Sequence, residues 1–104
     1  MAETSSTDQV FIRKLTEIVL SNLDDKDFGV KELALKAGMP QYSLIRKLHA
    51  INKKTITQFI REVRLERAKE LLQNEDQTAS EVAFAVGFAS PAYFNKCFHE
   101  YFGY

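Results

Sequence analysis

The side chains best suited to chemistry in this chain are a glutamine, a tyrosine and an arginine at Gln41, Tyr42 and Arg46, spaced to share one face of an α-helix. An arginine there can donate two parallel hydrogen bonds to guanine N7 and O6, and a glutamine can pair with adenine. Tyr42 and Ile45, beside them, can meet a thymine methyl or a sugar. About fifty residues on, Asn95 and Lys96 take the corresponding places, preceded by Ser90, Pro91 and Ala92. This second set has fewer donors, so it is expected to lean on phosphates and duplex shape more than on base edges. A helix-surface salt bridge is the plain alternative for Arg46, and a solvent-facing helix position suits Asn95 equally well.

Other chemistries do not assemble. There are no paired catalytic carboxylates, no glycine-rich phosphate loop and no triad, so no catalytic residue and no cofactor are expected. His49 and His99 occupy matching positions without the cysteine or carboxylate spacing of a metal site, and no metal is expected. The single cysteine, Cys97, excludes an internal disulfide and, set among aromatics, reads as a buried inert thiol.

The elements that position these residues are written twice. Leu33-Ala34, Gly38-Met39, Leu44, Arg46, Leu48 and His49 are answered by Val82-Ala83, Gly87-Phe88, Phe94, Lys96, Phe98 and His99. The offset grows by one residue after the glycines, which puts an extra residue in or just after the second turn. A short apolar-periodic stretch ending at glycine, followed by a longer one, is how a helix-turn-helix looks in sequence. Around the two copies the apolar spacing predicts a lead helix from about Asp8 to Leu23 and a long linker helix from about Ile56 to Gln73. Thr78-x-x-Glu81 reads as a capping box, and Ser90-Pro91 as a strong helix start. No β-type alternation occurs. The expected fold is all-α, with two helix-turn-helix units, about 30–52 and 79–104, joined by the linker helix. The domain is expected over 8–104, and residues 1–7 as a disordered or appended tail.

Net charge is zero, but its distribution is uneven: −3 over residues 1–30, +6 over 31–72 and −3 over 73–104. Positive charge therefore collects in the first unit and the helix after it, a footprint suited to a polyanion. Lys53, Lys54 and Arg61 follow the first recognition helix and are expected near phosphates, together with Ser43, Lys47, Ser90 and His99. Plain exposure is the alternative for both histidines. No stretch reaches the length of a membrane span, and the start MAETSSTDQ lacks a signal-peptide layout, so a cytoplasmic protein without membrane contact is expected.

The chain resembles the DNA-binding domain of the AraC/XylS family of bacterial transcription regulators. The resemblance runs from Val30 to Tyr104. It is carried by the duplicated residues, by the linker signature Arg64-Leu65-x-x-Ala68-x-x-Leu71-Leu72, and by Glu81-Val82-Ala83-x-x-x-Gly87-Phe88 with Tyr93-Phe94-Asn95-Lys96-x-Phe98. It implies sequence-specific binding of double-stranded promoter DNA for transcription regulation, with RNA polymerase as a partner. It also implies that Arg64 braces the two halves, for which Glu81 is a plausible partner. The lead helix with Asp27-Phe28-Gly29-Val30 is similar to the C-terminal end of hybrid two-component regulators from Bacteroidetes, which implies an upstream receiver and sensor kinase in the parent protein.

Three departures from the family stand out. Pro40 replaces the usual Ser, and Lys96 the commoner Arg. The usual Thr/Ser-Pro and Tyr-Arg tail is missing after Gly103-Tyr104, which implies a truncation that affects the packing of the last helix. The competing function is a helical interaction module whose basic face docks an acidic protein partner. Exposed Gln41, Tyr42 and Arg46 beside a glycine turn favour the first reading.

Overall fold

In the computed structural model, which describes residues 6–74 and 76–104, six helices follow one another: α1 (Ser6–Leu20), α2 (Val30–Ala37), α3 (Gln41–Asn52), α4 (Ile56–Leu72), α5 (Ala79–Ala85) and α6 (Pro91–Phe102). No strand occurs among the described residues, so the all-α expectation holds. The expected tail over residues 1–7 needs correction: Ser6 and Thr7 already belong to α1, where their backbone continues the helix that Phe11, Leu15 and Val19 bury. Residues 1–5 lie outside the described residues.

The sequence duplication is a duplication of geometry. Gly38 and Gly87 both have positive φ, at 71° and 90°, a region that side chains resist. After each glycine the chain closes the preceding helix in the same way. Met39 N–H donates to Ala34 O at 3.0 Å and Phe88 N–H to Ala83 O at 2.9 Å, while Gly38 and Gly87 donate to Leu35 O and Phe84 O. These paired bonds satisfy carbonyls that a helix end would leave open. The extra residue of the second copy lies between Gly87 and α6.

The apolar side chains form two cores rather than one. The first joins α1, α2, α3 and the start of α4 around Leu15, Leu33, Leu44, Leu48, Phe59 and Ile60. The second joins the rest of α4 to α5 and α6 around Leu65, Val82, Val86, Phe88, Phe94 and Phe98. Leu23 packs against both. Helix α4 serves the two cores in succession, and Arg64 lies at the changeover, 5% exposed. The last helix is well packed as it stands: Tyr104 reaches back to the rings of Phe98 and Phe102.

Arg64 is braced differently from the expectation. Its Nη1 donates to Leu23 O at 3.1 Å and to Val86 O at 2.9 Å, and its Nη2 donates to Asp25 O at 2.8 Å. Glu81, expected as its partner, is engaged elsewhere. Its Oε1 accepts from Thr78 N–H at 2.8 Å, and Thr78 Oγ1 accepts from Glu81 N–H, completing the capping box of α5. The bond from the Thr78 backbone holds the Glu81 carboxyl below its ordinary pKa. Burial pushes the Arg64 pKa down, against the nearby charge of Asp25.

Candidate nucleic-acid interface

Helix α3 turns Leu44 and Leu48 fully inward and leaves Gln41, Tyr42, Ser43, Ile45 and Arg46 exposed. Its inward face is apolar, and its outward face mixes polar side chains with Tyr42 and Ile45. Tyr42 is 69% exposed and Ile45 45% exposed, which leaves both for an interface rather than for the core. The Arg46 guanidinium leans on Tyr42, with Cζ 5.4 Å from the ring centroid and Nη1 3.4 Å from the hydroxyl. This stacking holds the arginine over the outer face of the helix and leaves its remaining donors open. The amino end of α3 has no side-chain cap, because Pro40 stands at the cap position, and no acid lies in the first turn. Its unpaired N–H groups and positive dipole end face outward beside Gln41 and Ser43, as an anion requires.

The phosphate candidates divide. Lys47 is drawn back onto the domain, its Nζ 4.4 Å from the centroid of Phe11. Lys54 pairs with Glu62 at 2.5 Å and is half-buried. Lys53 is exposed, and it ends α3 with φ 62°, the one non-glycine residue with positive φ among those described. Such a backbone costs an L-residue about 1–2 kcal/mol. Lys53→Gly should therefore raise stability by up to about 1 kcal/mol while weakening duplex binding and lowering its salt dependence by a slope of about 0.9. Denaturation and salt-titrated binding of the same variant check the two opposite signs.

In the second unit Ser90 caps α6 by accepting from Tyr93 N–H at 3.1 Å, and Pro91 takes the first turn. Asn95 and Lys96 are exposed. His99 faces the far end of α6, where its ring Nδ1 meets the carbonyl oxygen of Tyr104, so it lies away from the helix start. Arg61 is half-buried on α4 and faces the Tyr93 hydroxyl across to α6. From sequence, Tyr93 reads as part of the motif Tyr93-Phe94-Asn95-Lys96-x-Phe98, with no site role of its own. In the structure it is 50% exposed, stacks against Phe88 at 5.9 Å, and has its pKa pushed up chiefly by the hydrogen bond it shares with Cys97.

Two glycine-turned helix pairs on one connecting helix, each with a polar, exposed second helix, define a double helix-turn-helix domain. A family model described as a helix-turn-helix domain matches residues 33–104, and the chain belongs to that family in its AraC type. Among relatives, histidine kinase P4 of Formosa agariphila is 36% identical over 98 residues; the match covers 94% of this chain but only 7% of the kinase's length. The fold is shared with a transcriptional regulator of Chromobacterium violaceum, described as containing an AraC-type DNA-binding domain, at a TM-score of 0.84 and 20% identity, covering 96% of this chain and 88% of that one. It is also shared with the DNA-binding domain of the transcriptional factor AdpA, solved with a target DNA, at a TM-score of 0.75 and 26% identity, covering 88% of this chain and 82% of that one. No helix among the described residues is long and apolar enough to cross a membrane.

Proposed function

We propose that this domain binds double-stranded promoter DNA sequence-specifically and serves as the output module of a larger transcription regulator. The observation that carries the reading is α3, with Leu44 and Leu48 sealed into the core and Gln41, Tyr42, Ile45 and Arg46 presented together to solvent. α3 reads base edges. α6, with Asn95 and Lys96, adds a weaker second contact. The described molecule extends 37 Å in its long dimension, so the axes of α3 and α6 lie closer together than the roughly 34 Å between successive major grooves, and engaging both grooves requires the duplex to bend. One chain then occupies an asymmetric site, because its two readers differ. Relatedness to a histidine kinase supports a parent with a sensor kinase upstream; a receiver between them, a cytoplasmic setting and action on RNA polymerase complete the proposed reading.

Selection of bound sequences from a random duplex pool tests the reading. A defined motif is the expected result, and retention of acidic proteins without any duplex preference would favour the interaction module instead. On the selected site, Arg46→Ala should cost roughly 1–3 kcal/mol and relax preference at a single base pair. Competition across single-base variants checks this, since equal loss on every variant marks a phosphate contact.

A further inference from the structure

Between the two helix-turn-helix units lies a cleft of about 260 Å³ to which α3 contributes nothing and α6 only Tyr93. Arg64, the Gly87–Ala89 turn and the apolar Phe28 and Ile60 line it together with Lys26, Thr57, Arg61 and Tyr93. Three cationic side chains line it and no carboxylate does. The neighbouring clefts between α4 and α6 and between α1 and α4 each include glutamates. Asp25 and Asp27 flank Lys26 in sequence without lining the cleft, and Asp25 uses Oδ1 to accept from Asp27 N–H at 3.0 Å. Thr57 stands in the first turn of α4, a helix with no acid in that turn, so the unpaired N–H groups there add to the positive field. Tyr93 also lines the cleft, its hydroxyl already engaged by Cys97 and Arg61.

We infer that this cleft seats one phosphodiester group of the duplex, on the backbone stretch that passes between the two reading helices. Resting on the proposed DNA binding, the assignment gives that reading a third, central contact made by Lys26, Arg61 and Thr57. A phosphate bears a negative charge and several acceptor oxygens, and the lining offers an exposed lysine, a half-buried arginine and the exposed Thr57 hydroxyl. Arg64 contributes its charge while its hydrogen bonds stay on the three backbone carbonyls. The contact carries no base preference, so it fixes register and orientation for α3 and α6.

The test uses a duplex recovered from the random-pool selection, resynthesised with one neutral methylphosphonate at each position in turn along both strands. The intact 104-residue chain should show a sensitive position between the two protected grooves. Lys26→Gln and Arg61→Gln should each lower the salt slope by about 0.9, bind all sequence variants with the same proportional loss, and no longer respond to the methylphosphonate at that position. Both are polar replacements outside the sealed cores, and unchanged thermal unfolding checks that each folds. If the wild type binds its site but no central position is sensitive, or if both variants remain as sensitive as the wild type there, the cleft assignment is overturned while DNA binding stands. If no duplex is selected at all, the functional reading falls and the cleft with it.

Discussion

Gly87→Ala should destabilise the domain by roughly 3–5 kcal/mol, whereas Gly38→Ala, at the matching place in the first unit, should cost only about 1 kcal/mol. Both glycines hold positive φ, so both variants pay a conformational penalty. Only one of them meets an obstacle. A Cβ at Gly38 would find nothing within 4 Å, while a Cβ at Gly87 would lie 1.5 Å from Arg64 Nη1 and 2.1 Å from Leu23 O. The arginine has no slack to retreat into, because the same nitrogen is bonded to the carbonyls of Leu23 and Val86. Relief requires either expelling a buried guanidinium or moving the α1–α2 connection away from α5. Urea denaturation of the two variants side by side decides the matter. Comparable midpoints would mean that backbone conformation alone fixes both turns and that the seat of Arg64 yields easily.

The duplication, the six helices and both glycine turns were legible because they depend on local rules: apolar period, capping chemistry and the shape that only glycine adopts cheaply. Thr78 with Glu81 and Ser90 with Pro91 behave as local pairs and form as expected. The exposed set on α3 was legible for the same reason, since Leu44 and Leu48 fix which way that helix faces. What failed was long-range partnership. Arg64 was given a carboxylate because charges invite charges, yet it is held by backbone carbonyls from residues about forty positions earlier and about twenty later. Carbonyl groups carry no sequence signature, and the fold-back of the α1–α2 connection is a tertiary event. Leu65 likewise belongs to the second core while Phe59 and Ile60 belong to the first, because the helix changes cores midway. The directions of Lys47 and His99, drawn to Phe11 and to Tyr104, are set by residues distant in sequence or at the chain's end. The central cleft is of the same kind: Lys26, Thr57, Arg61 and Tyr93 come from three separate parts of the sequence.

Arg64→Ala should cost roughly 3–5 kcal/mol, the sum expected from leaving three carbonyl acceptors without their donor and from losing the packed side chain. Truncation leaves the carbonyls of Leu23, Asp25 and Val86 without their donor in a place that water reaches poorly, and opens space beneath Gly87. The more telling consequence is mechanical. The first core and the second meet mainly through Leu23 and through this arginine, whose bonds tie the α1–α2 connection to the end of α5. Without it, the amides of α5 and α6 should exchange with solvent well before those of α1 to α3, and DNA affinity should fall because α6 no longer holds a fixed position relative to α3. Combining the change with Gly87→Ala sharpens the argument. Removing the guanidinium abolishes the 1.5 Å encounter but not the one with Leu23 O at 2.1 Å, nor the penalty of φ 90°. The double variant should thus lose less than the sum of the singles, by a coupling of roughly 1–3 kcal/mol, without regaining the stability of either parent turn. Hydrogen exchange resolved by helix reads the decoupling directly. A single cooperative opening of all six helices in Arg64→Ala would show that apolar packing around Leu23 is enough to join the two reading units.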